Sequence, residues 1–217
     1  NRPAPCAYWS QGPWNGWGMY GGRRRTTPTP DEIRLQAYHA LSTRLTSLYW
    51  FNLSFDTLVK WRDTLDELRR CGREMRVMAP WLLWGDAFDF QRLRRADGAL
   101  DWDTASVCAP DGALLFALDL DYTPDLTERV FRFGAPRDAS WTFRLPGWLR
   151  GRVVDVFRFD ADGVYDVTWT RTEDGVNIAD RLSRVGVYFA VTEAGTRAQV
   201  ATEREKLVAE EQELGFD

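Results

Sequence analysis

The chain has 217 residues, 44% hydrophobic and 28% charged, with a formal net charge of −4. That is the composition of one or two globular domains, and it excludes a disordered tail. It also argues against a nucleic-acid partner, which calls for a cationic field, and against a membrane span, since no apolar run approaches the ~20 residues required.

In chain order, Ala4–Trp9 is a short apolar stretch that predicts a strand. The Gly- and aromatic-rich run 11–22 then predicts a long loop, closed by Arg23, Arg24 and Arg25. Thr29, Pro30 and Glu32 have the spacing of a capping box with proline at the first helical position. Ile33, Ala37, Leu41 and Leu45 continue at helical steps and predict a helix over 30–46. Residues 47–54 are almost wholly apolar, as in a strand buried on both faces. Leu58, Trp61, Leu65, Leu68, Met75 and Met78 form the stripe of a second helix over 57–79, which Pro80 ends or kinks.

After residue 85 the period becomes two. Leu114, Phe116, Leu118 and Leu120 alternate, as do Trp141, Phe143 and Leu145, then Tyr165, Val167 and Trp169, then Val185, Val187, Phe189 and Val191. Turns such as 110–112, 162–163 and 174–175 separate them, and the whole predicts an antiparallel β-sandwich. Val200, Leu207 and Leu214 mark a charged C-terminal helix over 196–214, with too few apolar positions for a core element. It is expected to lead into a missing or partner region.

The expected fold class is therefore α/β plus all-β. A βαβα unit occupies 1–85, a sandwich 86–195, and the charged helix 196–217. This order resembles the C-terminal part of (β/α)8-barrel glycosidases that carry a C-terminal sandwich. The residues that bear the resemblance are Trp9-Ser10-Gln11-Gly12, Pro28-Thr29-Pro30-Asp31-Glu32-Ile33-Arg34, Gln36 to Leu41, and Leu48-Tyr49-Trp50-Phe51-Asn52. The resemblance implies the last two βα units of a barrel whose first six lie outside this chain, because a complete barrel takes ~250 residues. It also implies a carbohydrate partner and an extracytoplasmic setting.

In barrels, ligands bind at the C-terminal ends of the strands. By this mapping Gln11, Trp14, Asn15, Trp17, Tyr20, Arg25, Asn52 and Asp56 are the candidate substrate contacts. Aromatic rings suit the apolar faces of sugars, and amides, hydroxyls and arginine suit their polar groups. For Trp14 and Trp17 the alternative is filling gaps in a Gly-rich loop. For Trp50 it is core packing, and for Asp56 a helix cap. Glycosidases need two carboxylates, yet residues 1–30 contain no Asp or Glu. The chain is therefore expected to contribute to a glycoside-hydrolase-like protein without a complete catalytic pair, and to be inactive alone. The alternative is a non-catalytic carbohydrate-binding or structural sandwich on an inactive scaffold. A third reading is a self-contained α+β interaction module.

No cofactor or metal is expected. Cys6, Cys71 and Cys108 stand apart without a CxxC, and His39 is the only histidine. Asp119, Asp121 and Asp125 are close in sequence but lack a calcium-loop pattern. Lys60 and Lys206 are the only lysines, so 26 of the 28 basic residues are arginine.

Overall fold

The computed structural model describes residues 6–11, 27–51, 55–128 and 130–215. The chain begins with β1 (Ala7–Gln11), α1 (Pro30–Ser42), β2 (Ser47–Phe51), α2 (Phe55–Lys60) and α3 (Arg62–Trp84). Strands follow: β3 (Asp86–Arg94), β4 (Leu100–Ala109), β5 (Gly112–Asp119), β6 (Tyr122–Asp125), β7 (Val130–Phe133) and β8 (Arg137–Arg144). After the short α4 (Gly147–Arg150) come β9 (Asp155–Asp160), β10 (Gly163–Asp166), β11 (Thr168–Arg171), β12 (Gly175–Leu182), β13 (Val185–Val191) and α5 (Thr196–Glu213).

The capping box forms. The Thr29 hydroxyl accepts from the Glu32 N–H at 3.3 Å, and the Glu32 carboxylate accepts from the Thr29 N–H at 2.7 Å. The helix stops at Ser42, four residues before the expected end, because Arg44 turns into the left-handed region at φ 64°. The Arg44 Nε donates to the Gly85 carbonyl at 2.7 Å. Pro80 does not end α3, which continues to Trp84 so that Trp81 and Leu82 reach the core.

A six-stranded sheet in the order β10-β9-β13-β5-β4-β3 is the centre of the molecule, and every neighbouring pair in it is antiparallel. Period-two alternation sends Leu114, Phe116 and Leu118 of β5 to one face and Ala113, Leu115 and Ala117 to the other. The first face packs under Ile33, Ala37, Tyr38 and Leu41 of α1, Val77, Met78 and Trp81 of α3, and Val200 and Leu207 of α5. The second face packs on Trp141 and Phe143 of β8 and Val176 and Ile178 of β12. These belong to a three-stranded antiparallel sheet in the order β11-β12-β8. The result is three layers, helices on sheet on sheet, with an apolar core on each side of the central sheet.

This arrangement overturns the expected barrel units and the glycosidase resemblance. β1 and β2 do pair in parallel, but among the described residues only with each other. In a barrel, α1 and α3 would cover a continuous parallel wall. Here their apolar faces lie on the antiparallel sheet, and residues on both sides of position 85 share one core. The sheet offered by β5, β9 and β13 is far larger than two short strands, so burial of the helix stripes is satisfied there.

The C-terminal helix also packs within the chain. Val200 and Leu207 are buried beside α3, and Arg73 donates from Nε at 2.8 Å and from Nη2 at 2.5 Å to the two Glu211 carboxylate oxygens. Val200, Leu207 and two bidentate ion pairs, Arg73 with Glu211 and Arg197 with Asp155, hold a helix that is otherwise charged.

A buried polar network joins the layers. Arg34 of α1 donates to both oxygens of Glu74 on α3 at 3.0 Å each, and to Glu67 at 2.5 Å. The Tyr38 hydroxyl also donates to Glu74, and the Ala161 N–H of the β9–β10 turn donates to it at 2.6 Å. Glu74 is fully buried and every lone pair facing these donors is used. Burial works against the Arg34 charge, but Glu74 raises its pKa above the ordinary value. Burial and then Glu74 push the Tyr38 hydroxyl up. The network is structural: it fixes two helices and a hairpin in one register.

The outer strand β3 is the edge of the six-stranded sheet. Its pairing with β4 slips between Ala87 and Asp89 and again between Arg92 and Arg94. Bulges and charges at an edge discourage pairing with another sheet. No helix among the described residues is long and apolar enough to cross a membrane.

Candidate functional site

An open cleft of about 500 Å³ lies where the β3 edge meets the corner between β8 and α4. Phe88, Asp89, Arg144, Pro146, Arg150 and Asp174 line it. Each is placed by a local cause. The first bulge in β3 inserts Phe88 between the paired residues Ala87 and Asp89, which turns the ring outward and leaves it 48% exposed. Pro146, at φ −63° and ψ 150°, is the N-cap of α4, and fully buried Leu149 fastens that turn to the core. Trp148, in the same turn, is 52% exposed.

The β11–β12 turn brings Asp174. Its carbonyl accepts from the Leu145 N–H at 2.9 Å. Gly175 beside it lies so close to β8 that an added Cβ would stand 2.1 Å from the Phe143 carbonyl oxygen, so only glycine fits. The turn therefore sits against the β8 end with its carboxylate exposed.

The cleft carries balanced charge, two arginines against two aspartates. Arg144 is 4.0 Å from Asp89 and Arg150 is 3.9 Å from Asp174, too far for hydrogen bonds. Arg150 Nη1 donates to the Glu173 carbonyl at 2.8 Å, and Asp89 accepts from Gln91 Nε2 at 2.6 Å. Most donors and acceptors in the cleft are thus uncommitted. This contrasts with the bidentate pairs elsewhere, such as Arg92 with Asp103 at 2.8 Å from each of two nitrogens. Cys108 is buried nearby, and burial pushes its thiol up to about 12, so it stays protonated near neutral pH.

The sequence-derived candidates occupy a different part of the chain. Gln11 is the last residue of β1 and pairs in register with Phe51. Asp56 falls in the first turn of α2. The side chains of both, and all of Trp14, Asn15, Trp17, Tyr20, Arg25 and Asn52, lie outside the described residues. Neighbouring Ser10 is buried and donates to Gln36 Oε1 at 2.8 Å, and Trp50 packs against the helix-side core. His39 is half-buried on α1; burial lowers its pKa, Asp103 opposes that and Arg92 adds to it. Among the described residues no group of three His, Cys, Asp or Glu could hold a metal ion. Asp119 is paired with Arg137 at 3.0 Å, Asp121 with Arg95 at 3.2 Å and Asp125 with Arg132 at 3.1 Å, which accounts for that acidic run.

Comparison of the chain with protein-family models, with curated proteins and with solved structures finds no match.

Proposed function

We propose that the chain is a non-catalytic binding module for a neutral saccharide, held in the cleft between β3 and α4. The observation that carries this reading is the pairing of an outward-turned Phe88 ring with Arg and Asp side chains whose hydrogen-bonding capacity is only partly spent. A sugar ring has an apolar face that stacks on an aromatic and a rim of hydroxyls that both donate and accept. Balanced charge favours a neutral polyol over an ion, because an ionic ligand would leave two of the four charged groups opposed to it. The volume is within the ordinary range of small-ligand sites, roughly 300–1,000 Å³.

Titration calorimetry of the whole chain with maltohexaose, cellohexaose and xylohexaose tests this. Saturable binding of at least one is expected, weakened about tenfold by Phe88→Ala and by Arg144→Ala with unfolding midpoints unchanged, since both residues are exposed. Absence of binding to all three, or binding that both substitutions leave intact, would sink the proposal. Release of shorter sugars during the titration would contradict the non-catalytic part.

A further inference from the structure

A second pocket, of about 250 Å³, opens where β9 ends and β13 begins. Arg34, Arg70, Arg158, Arg181 and Arg184 line it, against a single lining carboxylate, Asp160. Five separate places in the sequence supply them: α1, α3, β9, β12 and the turn that follows β12. Their acidic partners, Glu74, Asp162, Asp180, Asp138 and Asp31, are not among the lining residues.

The five are not equally committed. Arg34 is bidentate to Glu74, and Arg70 is bidentate to Asp162 at 2.6 Å from each nitrogen. These two are fixed charges. Arg158 donates from Nη1 to Asp180 at 2.9 Å, but its Nε is buried and has no hydrogen-bond partner among the described residues. The Arg184 Nε lies 2.5 Å from an Asp31 carboxylate oxygen, a contact ion pair out of hydrogen-bond alignment. Arg181, 65% exposed, is 3.5 Å from an Asp138 that is itself 84% exposed. Arg158 thus engages its carboxylate through one nitrogen and Arg181 is exposed and loosely paired, so guanidinium N–H donors remain for an incoming acceptor. Arg184 also sits at φ 69°, a left-handed conformation that a long side chain rarely adopts, so the turn holds an arginine where glycine would be relaxed.

We propose that this pocket binds a tetrahedral oxyanion, inorganic phosphate or the phosphate group of a small monoester. Guanidinium groups present pairs of N–H donors that match such oxygens. The volume is below the ~300 Å³ at which drug-sized ligands begin, which limits the occupant to a phosphate or a compact monoester. The site is separate from the saccharide cleft, and either can fail without the other.

The test is titration calorimetry of the whole chain at constant ionic strength with sodium phosphate, glycerol 3-phosphate, acetate and chloride. Saturable binding of phosphate is expected, with none of acetate or chloride. Tighter glycerol 3-phosphate than phosphate identifies a monoester as the occupant, and equal affinity identifies the free anion. Arg184→Gly and Arg181→Ala should each weaken phosphate about tenfold or more. The glycine variant suits the positive φ, so its backbone is relaxed, and thermal melts of both variants confirm folding. Binding that is absent in the wild-type chain, or unchanged in both folded variants, overturns the proposal and leaves only a general salt effect.

Discussion

Glu74→Ala is expected to lower the free energy of unfolding by about 3–5 kcal/mol, the usual cost of removing one partner of a buried ion pair. The substitution strips the bidentate acceptor from Arg34, whose side chain is only 13% exposed, and leaves the Tyr38 hydroxyl and the Ala161 N–H without their acceptor. Four donor groups, two of them on Arg34, lose their acceptor in a site that water cannot easily enter. Glu74→Ala with Arg34→Met, which removes a cation left with Glu67 as its one acidic partner, should recover part of the loss, because a buried pair is often replaceable by apolar groups. Denaturant unfolding of the two variants checks both statements. A Glu74→Ala chain as stable as wild type would show that the network does not join the helices to the β9–β10 turn.

Phe189→Ala is expected to cost about 3–5 kcal/mol as well, from lost transfer free energy and the cavity left behind. Phe189 of β13 is fully buried. Its ring meets Trp81 of α3 edge-on at 4.9 Å, stacks on Phe157 of β9 at 5.3 Å and meets Phe159 at 5.6 Å. The site lies between helix and sheet, so the vacancy cannot be closed by one side chain changing rotamer. Unfolding followed by calorimetry should show a lower midpoint in a single transition. A loss under 1 kcal/mol would mean that the helix layer does not press on β13.

The local signals were legible in the sequence. Thr29 and Glu32 fixed the start of α1, and alternation marked β5, β8 and β13. β3 and β4 carry no such signal. β3 is an exposed edge broken by bulges, and β4 buries Asp103, Thr104 and Ser106, polar residues that read as surface. They are buried because partners meet them: Asp103 takes Arg92, and the Ser106 hydroxyl donates to the Arg144 carbonyl at 3.0 Å.

The order strand, helix, strand, helix is also local. It does not say which sheet the helices cover, and that is where the barrel expectation failed. The cleft was hidden for a related reason. Phe88 is outward only because a bulge turns it, and Asp174 is presented only because Gly175 lets the turn approach β8. The abundance of arginine was visible in the composition, but not that residues 34, 70, 158, 181 and 184 meet at one pocket.

Helices and sheets unfold as one cooperative unit in this account of the fold, with the six-stranded sheet buried between the other two layers. The decisive measurement is urea unfolding followed both by far-ultraviolet circular dichroism at the helical minimum and by the near-ultraviolet band of the edge-on Trp102–Trp141 pair, on the opposite side of the sheet from the helices, assigned by its loss in Trp102→Phe. Coincident transitions with one midpoint are the predicted result. Helical signal lost at distinctly lower urea than the tryptophan signal would contradict it.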